Sequence, residues 1–569
     1  MTIDELCGAV DAAAMMRHLE EFARRIKLSG TPEERESFAY LQACLDGYGY
    51  RTELIEHDAY ISLPGAAHLT IDNEELRCIT QSFSRSSPEG VTGRIVYAGA
   101  GGESDFAAVD VRGCVALLEG IANPAASLRA SRAGAIGQIH VSPHEHLHEM
   151  CISPVWGSPG TETLAQLPST VVVSISKADG DRIKAKLSDA TEVRARLQAA
   201  VDTGWRKTPL LVAELMPERE PDAPFVMFSG HHDTWHYGVM DNGSANAAML
   251  ELARLMAPAR GQWKRGLRLC FWSGHSHGRY SGSAWYADTN FAELARRCVA
   301  HVNIDSVGAK GNTVLADATA SSELMPLARE AVRTRGGQEL LGLRMPRAGD
   351  QSFWGIGVPS LFMSMGEQPL GQSVNVAGAV LAGSRKQGAG YGWWWHTPGD
   401  LLDKMDPQLQ VRDTRIYAHA IWRLMTESVP PLDYAIYLDD LRGVIEALQS
   451  ELGARGGLAP VVALVRDVSA CAASFNSRKS ALKDDSAVAA ANRTLMRVSR
   501  ALVPLDYTRG DRFVHDAALS LSPYPALDPL RKLAKTRPGT DEAKFAAADA
   551  TRARNRVEHA LGLALEAFG

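Results

Sequence analysis

The stretch "PFVMFSGHHDTWHYGVMDNGSANAAMLELARLM", residues 224–256, decides the fold class. Its opening, "PFVMFSG", is a short apolar run that stops at a glycine, the signature of a buried strand. Its close, "GSANAAMLELARLM", carries apolar residues at helical spacing. Between them stand His231, His232 and Asp233 at the strand's end, and Asp241 at the start of the helix. A buried strand followed by an amphipathic helix is half of a βαβ unit.

The same alternation continues outward. "GLRLCFW" (266–272) reads as a strand, "GSAWYADTNFAELARRC" (282–298) as a helix and "VAHVNID" (299–305) as a strand. The rhythm holds from about residue 208 to about 427 and predicts an α/β domain, a mostly parallel (mixed) sheet flanked by helices. Upstream, "GRIVYAG", "GCVALLEG", "GAIGQIHV" and "STVVVSIS" are short apolar runs between Gly and Ser, which predict an inserted β-rich unit. Before it come two helices, "DAAAMMRHLEEFARRI" and "SFAYLQACLDGYGY", separated by a break at "LSGTPEERE", and then a strand, "RTELIEHDAYISL". After "SVPPLDY" the chain turns helical; Tyr434, Tyr437, Leu441, Val444 and Leu448 share one face. The expected division is 1–87, 88–187 (inserted), 188–429 (main sheet) and 430–569 (helical).

Composition excludes several classes. With 569 residues, 45% apolar and 22% charged, the chain is a multidomain globular protein. A net charge of -6 leaves no basic footprint for nucleic acid and no polybasic membrane patch. No apolar run reaches the roughly 18 residues of a membrane span. The acidic, helical N-terminus lacks the order of a signal peptide. Eight scattered cysteines without CxxC spacing form no disulfide framework, so a reduced, cytoplasmic protein is expected.

The polar residues at the strand ends suggest a metal. His231 and Asp233 follow the first strand, Asp241 opens the helix, Asp305 ends the third strand, and His396 lies in "YGWWWHTPGDLLDKMD". Singly, each is a capping or satisfied polar residue. Together, at the carboxyl ends of parallel strands, imidazole and carboxylate suit Zn, and also Mn, Fe or Co.

"GHHDTWHYGVMDNGSANAAMLELAR", "NIDSVG" and "WWWHTPGDLLDK" together resemble the co-catalytic zinc aminopeptidases, and more closely their glutamate carboxypeptidase and transferrin receptor branch. The resemblance covers most of the chain. It implies a protease-associated domain at 88–187 and a helical dimerisation domain at 430–569, hence a homodimer. It also implies that His231 and Asp305 ligate one metal and His396 a second, that Asp241 bridges them, and that Asp233 orients His231.

The chain departs from that pattern at "WSGHSHGRYSGS" (272–283). The family has Trp, two residues, then Glu-Glu, a general base followed by a ligand of the second metal. Here His275 and Ser276 occupy those places, or Ser276 and His277 when counted back from Gly282-Ser283. Three outcomes stay open. The histidines replace ligand and base, neutral imidazole being suited to both. Or one ion remains, on His231, Asp241 and Asp305 or on a group including His275 and His396, with Fe or Mn as suitable as Zn. Or catalysis is lost and the chain is a receptor-like binding protein.

His275 is the leading expectation for base or substitute ligand, with Asp233 as its catalytic companion and His277 as a further ligand. Arg279 and Tyr280 are expected to bind a substrate carboxylate or oxyanion. Arg347, Asp350, Gln351 and Trp354, in "RAGDQSFWGIGVPSLFMSMG", and Trp395 are expected to line the substrate pocket. The histidines of "HVSPHEHLHEM" read as a solvated loop. The expected activity is metal-dependent hydrolysis of an amide or peptide-like bond in a small substrate, such as an N-acyl amino acid or small aromatic amide.

Overall fold

The structure is a computed structural model and describes residues 1–189, 192–218, 220–371 and 387–569. Ten strands position the site: β1 (Arg51–Ile71), β2 (Ser87–Tyr97), β3 (Val115–Glu119), β4 (Gly137–Val141), β5 (Val171–Ile175), β6 (Arg194–Leu215), β7 (Phe225–His231), β8 (Gly266–Trp272), β9 (Cys298–Asn303) and β10 (Ser360–Leu361). Along the sheet they run β10-β9-β7-β8-β6-β2-β3-β4-β5, with β1 paired to β6. The β10-β9-β7-β8 run is parallel, as is β2-β3-β4-β5; the pairs made by β6 are antiparallel. The sheet is therefore mixed and mostly parallel.

β7, β8 and β9 are buried at every residue. Helices cover both faces of such strands, which is why their sequences are unbroken apolar runs. Register then sets the site. Trp272 pairs with His231, and Asn303 with Ser229. Asp305 therefore comes level with His231, and the turn after β8 opens beside it. That turn needs glycine at Gly274: its φ is +75°, and a Cβ there would lie 2.0 Å from Ser281 Oγ.

A crossover helix, Pro124–Arg132, joins β3 to β4, and Lys177–Asp189 follows β5, so the inserted region is α/β rather than purely β-rich. Near the N-terminus the helix Pro32–Gly47 starts inside the stretch expected as a break. Thr31 Oγ1 accepts from Glu34 N and Pro32 takes the first turn, so "TPEE" starts the helix rather than interrupting the chain. The predicted helix 282–298 is two, Ser281–Thr289 and Phe291–Arg297, parted at Asn290.

The C-terminal region is built from Tyr434–Leu452, Ala459–Lys479, Asp485–Tyr507 and Asp541–Phe568, with shorter helical turns between them. Tyr434, Tyr437, Leu441 and Leu448 are buried and Val444 is partly buried. All eight cysteines are free thiols. Among the described residues no helix is long and apolar enough to cross a membrane.

Candidate metal centre

Four loop segments at the ends of β7, β8 and β9 and before residue 397 converge. His231 Nε2 lies 3.0 Å from Asp241 Oδ1 and 3.5 Å from Asp305 Oδ2. Asp241 Oδ2 is 3.0 Å from His396 Nε2, so this carboxylate spans two imidazoles. Donor atoms of His231, His275 and Asp305 all lie within 4.8 Å of one another. The His231 and His275 rings stack, centroids 3.7 Å apart and 12° from parallel. Asp241 is held from behind: Asp400 accepts from the backbone N–H of Met240 at 2.8 Å and of Asp241 at 3.0 Å.

The tautomers follow from the partners. His231 Nδ1 donates to the Asp233 carbonyl at 2.8 Å and His396 Nδ1 to the Glu149 carbonyl at 2.6 Å. An imidazole whose Nδ1 donates keeps a lone pair on Nε2, and metal-ligating histidines are held in this way. His275 Nδ1 meets Asp350 Oδ2 at 2.8 Å. His231 Nε2 and Asp241 Oδ1 are buried without a hydrogen-bond partner. Orphaned buried acceptors are costly, and facing imidazole and carboxylate acceptors are the donor set a divalent cation satisfies. The residues fit such an ion.

Electrostatics agree. Burial opposes charge on His231, but Asp305, Asp233 and Asp241 surround it and raise its pKa well above the ordinary value, so the place that a cation would fill beside Nε2 takes a proton when no ion is bound. Burial works against the Asp233 carboxylate too, yet His231 3.6 Å away and the charge of neighbouring imidazoles hold it well below the usual range. Asp233 Oδ2 also accepts from Ser29 Oγ at 2.6 Å and Ser276 N at 2.9 Å. Burial likewise opposes charge on Asp241, and its contacts with His231 and His396 keep it ionised.

The other residues singled out from sequence divide. Asp241, His275, Arg279, Tyr280, Asp305, Trp395 and His396 line one cleft. His277 does not: it is fully buried, its Nδ1 3.0 Å from Ser29 Oγ, its ring against Trp235, and it lies outside the three-donor group. Burial pushes it down to about 4. Ser29 spends its proton on Asp233, so His277 Nδ1 donates to Ser29.

Arg347, Gln351 and Trp354 also stay out of the cleft, against expectation. Arg347 donates to the carbonyls of Ala517 and Asp516, and Gln351 to that of Phe362; Trp354 stacks on Tyr507 at 4.2 Å. The loop reaches the site through Asp350 instead. The "HEHLHE" segment is no solvated loop either. His144 and His148 are buried, His148 Nδ1 donates to the Trp395 carbonyl, and Met150 and Cys151 line the cleft. Residues missed from sequence are Ser29, Glu149 and Asp400.

Residues 211–421 match the family model described as peptidase family M28. Curated relatives extend the likeness. The chain is 23% identical to the probable glutamate carboxypeptidase AMP1 of Arabidopsis thaliana, over 92% of this chain and 84% of that protein. It is 26% identical to the probable glutamate carboxypeptidase LAMP1 of the same plant, over 51% of this chain but only 43% of LAMP1. It is 24% identical to the aminopeptidase NAALADL1 of Rattus norvegicus, over 50% of this chain and 42% of that one.

Among solved structures, the aminopeptidase from Aneurinibacillus sp. strain AM-1 superposes with a TM-score of 0.56 at 22% identity, covering 74% of this chain and 96% of that one. A zinc aminopeptidase from Bacillus subtilis gives 0.56 at 19% identity over 74% and 96%. Over about three quarters of its length the chain thus shares the fold of these aminopeptidases.

Proposed function

We propose that the chain is a metal-dependent hydrolase cleaving an amide or peptide-like bond in a small substrate. One observation carries this: the buried, unpartnered acceptors of His231 and Asp241 converge with Asp305, His275 and His396 on one cleft. A divalent cation there, zinc first, would supply Lewis acidity to a scissile carbonyl and acidify water. His231, Asp241, Asp305 and His396 hold it. Asp233 keeps His231 in place and counters its charge, while His277, through Ser29, steadies Asp233.

His275 has two roles that metal count separates. With two ions per chain it stands free and accepts the proton of attacking water. With one ion on His231, His275 and Asp305 it is a ligand in a two-histidine, one-carboxylate set, which also suits Fe or Mn.

Substrate contacts fall to Arg279, Tyr280 and Trp395. Arg279 Nε is buried without a partner, and among the described residues no ion pair neutralises this guanidinium. Its neighbours in the cleft are Met150, Met363, Tyr391 and Trp395. A substrate with an apolar or aromatic body and a free carboxylate, such as an N-acyl amino acid, matches that lining. Arg279→Ala should lower kcat/KM for it by roughly 10- to 100-fold, the worth of a charged hydrogen bond, and leave the corresponding amide unaffected.

The test begins with elemental analysis, per chain, of protein purified without chelator, followed by turnover of N-acyl amino acids and short peptides. Metal-replete protein that hydrolyses neither class would end the hydrolase reading. Phe513, Val514 and Phe545, all more than half exposed on the helical region, support pairing of two copies; light scattering that gives a monomer would remove it. The eight free thiols suit a reducing, cytoplasmic setting.

A further inference from the structure

His275 follows the turn after β8 into the cleft, and its Nδ1 partner is a carboxylate where His231 and His396 use backbone carbonyls. That carboxylate, Asp350, is 1% exposed. Its second oxygen accepts from Ser283 Oγ at 2.8 Å; Ser283 Oγ lies 2.9 Å from Ser352 Oγ; Ser352 Oγ accepts from Trp156 Nε1 at 2.9 Å.

The direction of this chain is determined at its far end. An indole N–H can only donate. Trp156 therefore fills one acceptor site of Ser352 and leaves the Ser352 proton for Ser283. Ser283 has two acceptors in reach, Asp350 Oδ1 at 2.8 Å and the Tyr280 carbonyl at 3.2 Å. The shorter bond to the charged oxygen is the stronger. Every hydroxyl thus points toward Asp350, and among the described residues no donor but His275 Nδ1 reaches Oδ2.

We propose that Asp350 is the positioning residue of His275. It fixes the imidazole as the Nδ1–H tautomer and reserves the Nε2 lone pair for the metal or for a substrate-derived proton. The loop before β10 thereby places a carboxylate behind the imidazole that the turn after β8 presents. The inference rests on the metal centre proposed above but not on turnover.

Its test reads the imidazole directly. In metal-free protein labelled with 15N-histidine, long-range 1H–15N correlations should show His275 protonated on Nδ1; protonation on Nε2 in the unaltered protein would overturn the proposal without any variant. Asp350→Asn should shift the proton toward Nε2 and weaken zinc binding, measured by competition with a chromophoric chelator, by roughly 10- to 100-fold. Asp350→Glu should recover part of both. A folded Asp350→Asn protein with unchanged tautomer and zinc affinity would also overturn it. Failure of the hydrolase reading would appear instead as absent turnover with tautomer and affinity as expected.

Discussion

Two groups of buried histidines sit on either side of the Trp-rich segment and behave oppositely. His140, His144 and His148 belong to the inserted region; burial pushes His140 and His144 down to about 4 and His148 to about 3. His231 is just as buried, yet three carboxylates raise it well above the ordinary range. Burial alone makes a neutral core imidazole. Burial among carboxylates makes surroundings that favour a positive charge. Spacing misleads here: "HEHLH" looks more like a metal motif than the scattered residues of the proposed centre. His144 Nδ1 accepts from the His146 N–H, so its Nε2 carries the proton and cannot ligate.

The largest effect should separate the two groups. Asp241→Asn, at the carboxylate between His231 and His396, should cost more than the roughly 100-fold in metal affinity that losing an outer hydrogen-bond partner costs. His148→Phe should keep the full metal content by elemental analysis. Equal metal loss in both variants would break the contrast.

A pH series sharpens it. The unfolded chain protonates His140 near 6.5, whereas the folded one resists until about 4. Its lowered pKa therefore leaves stability untouched above about 6.5 and costs the folded state progressively as pH falls toward 4, roughly 3 kcal/mol in all. His140→Gln should flatten urea-unfolding stability across that window by about this amount. An unchanged slope would mean that His140 is not held neutral.

The smallest effect concerns the Trp395 carbonyl, which loses its donor in His148→Phe. Stability should fall by about 1–3 kcal/mol in denaturant at pH 7. No loss would show that the inserted region does not brace the segment carrying His396.

The sheet was legible because β7, β8 and β9 are unbroken apolar runs closed by glycine or polar residues, a pattern set by burial on both faces. His231, Asp241, Asp305 and His396 were legible because each directly follows such an element or a turn. The partners that set their tautomers were not. Glu149 acts through its backbone carbonyl, which no residue type announces, and Asp350 meets His275 across 75 residues. The register of "HSH" depended on the turn at Gly274, which sends His275 to the cleft and His277 behind Asp233. Arg347, Gln351 and Trp354 shared a loop with the residue that mattered, but their side chains leave it in other directions.

β1 and β6 pair along almost their whole length, from Arg51 opposite Glu214 to Ile71 opposite Ala195, and β6 hands the sheet from β8 to β2. This ribbon is a shared beam. Excising residues 88–187 would strip β2 from one end of it and expose an unpaired edge where β6 had a neighbour. The insert is thus spliced into the sheet's backbone ladder, and neither part can be traded for another without cutting through the strands that carry both.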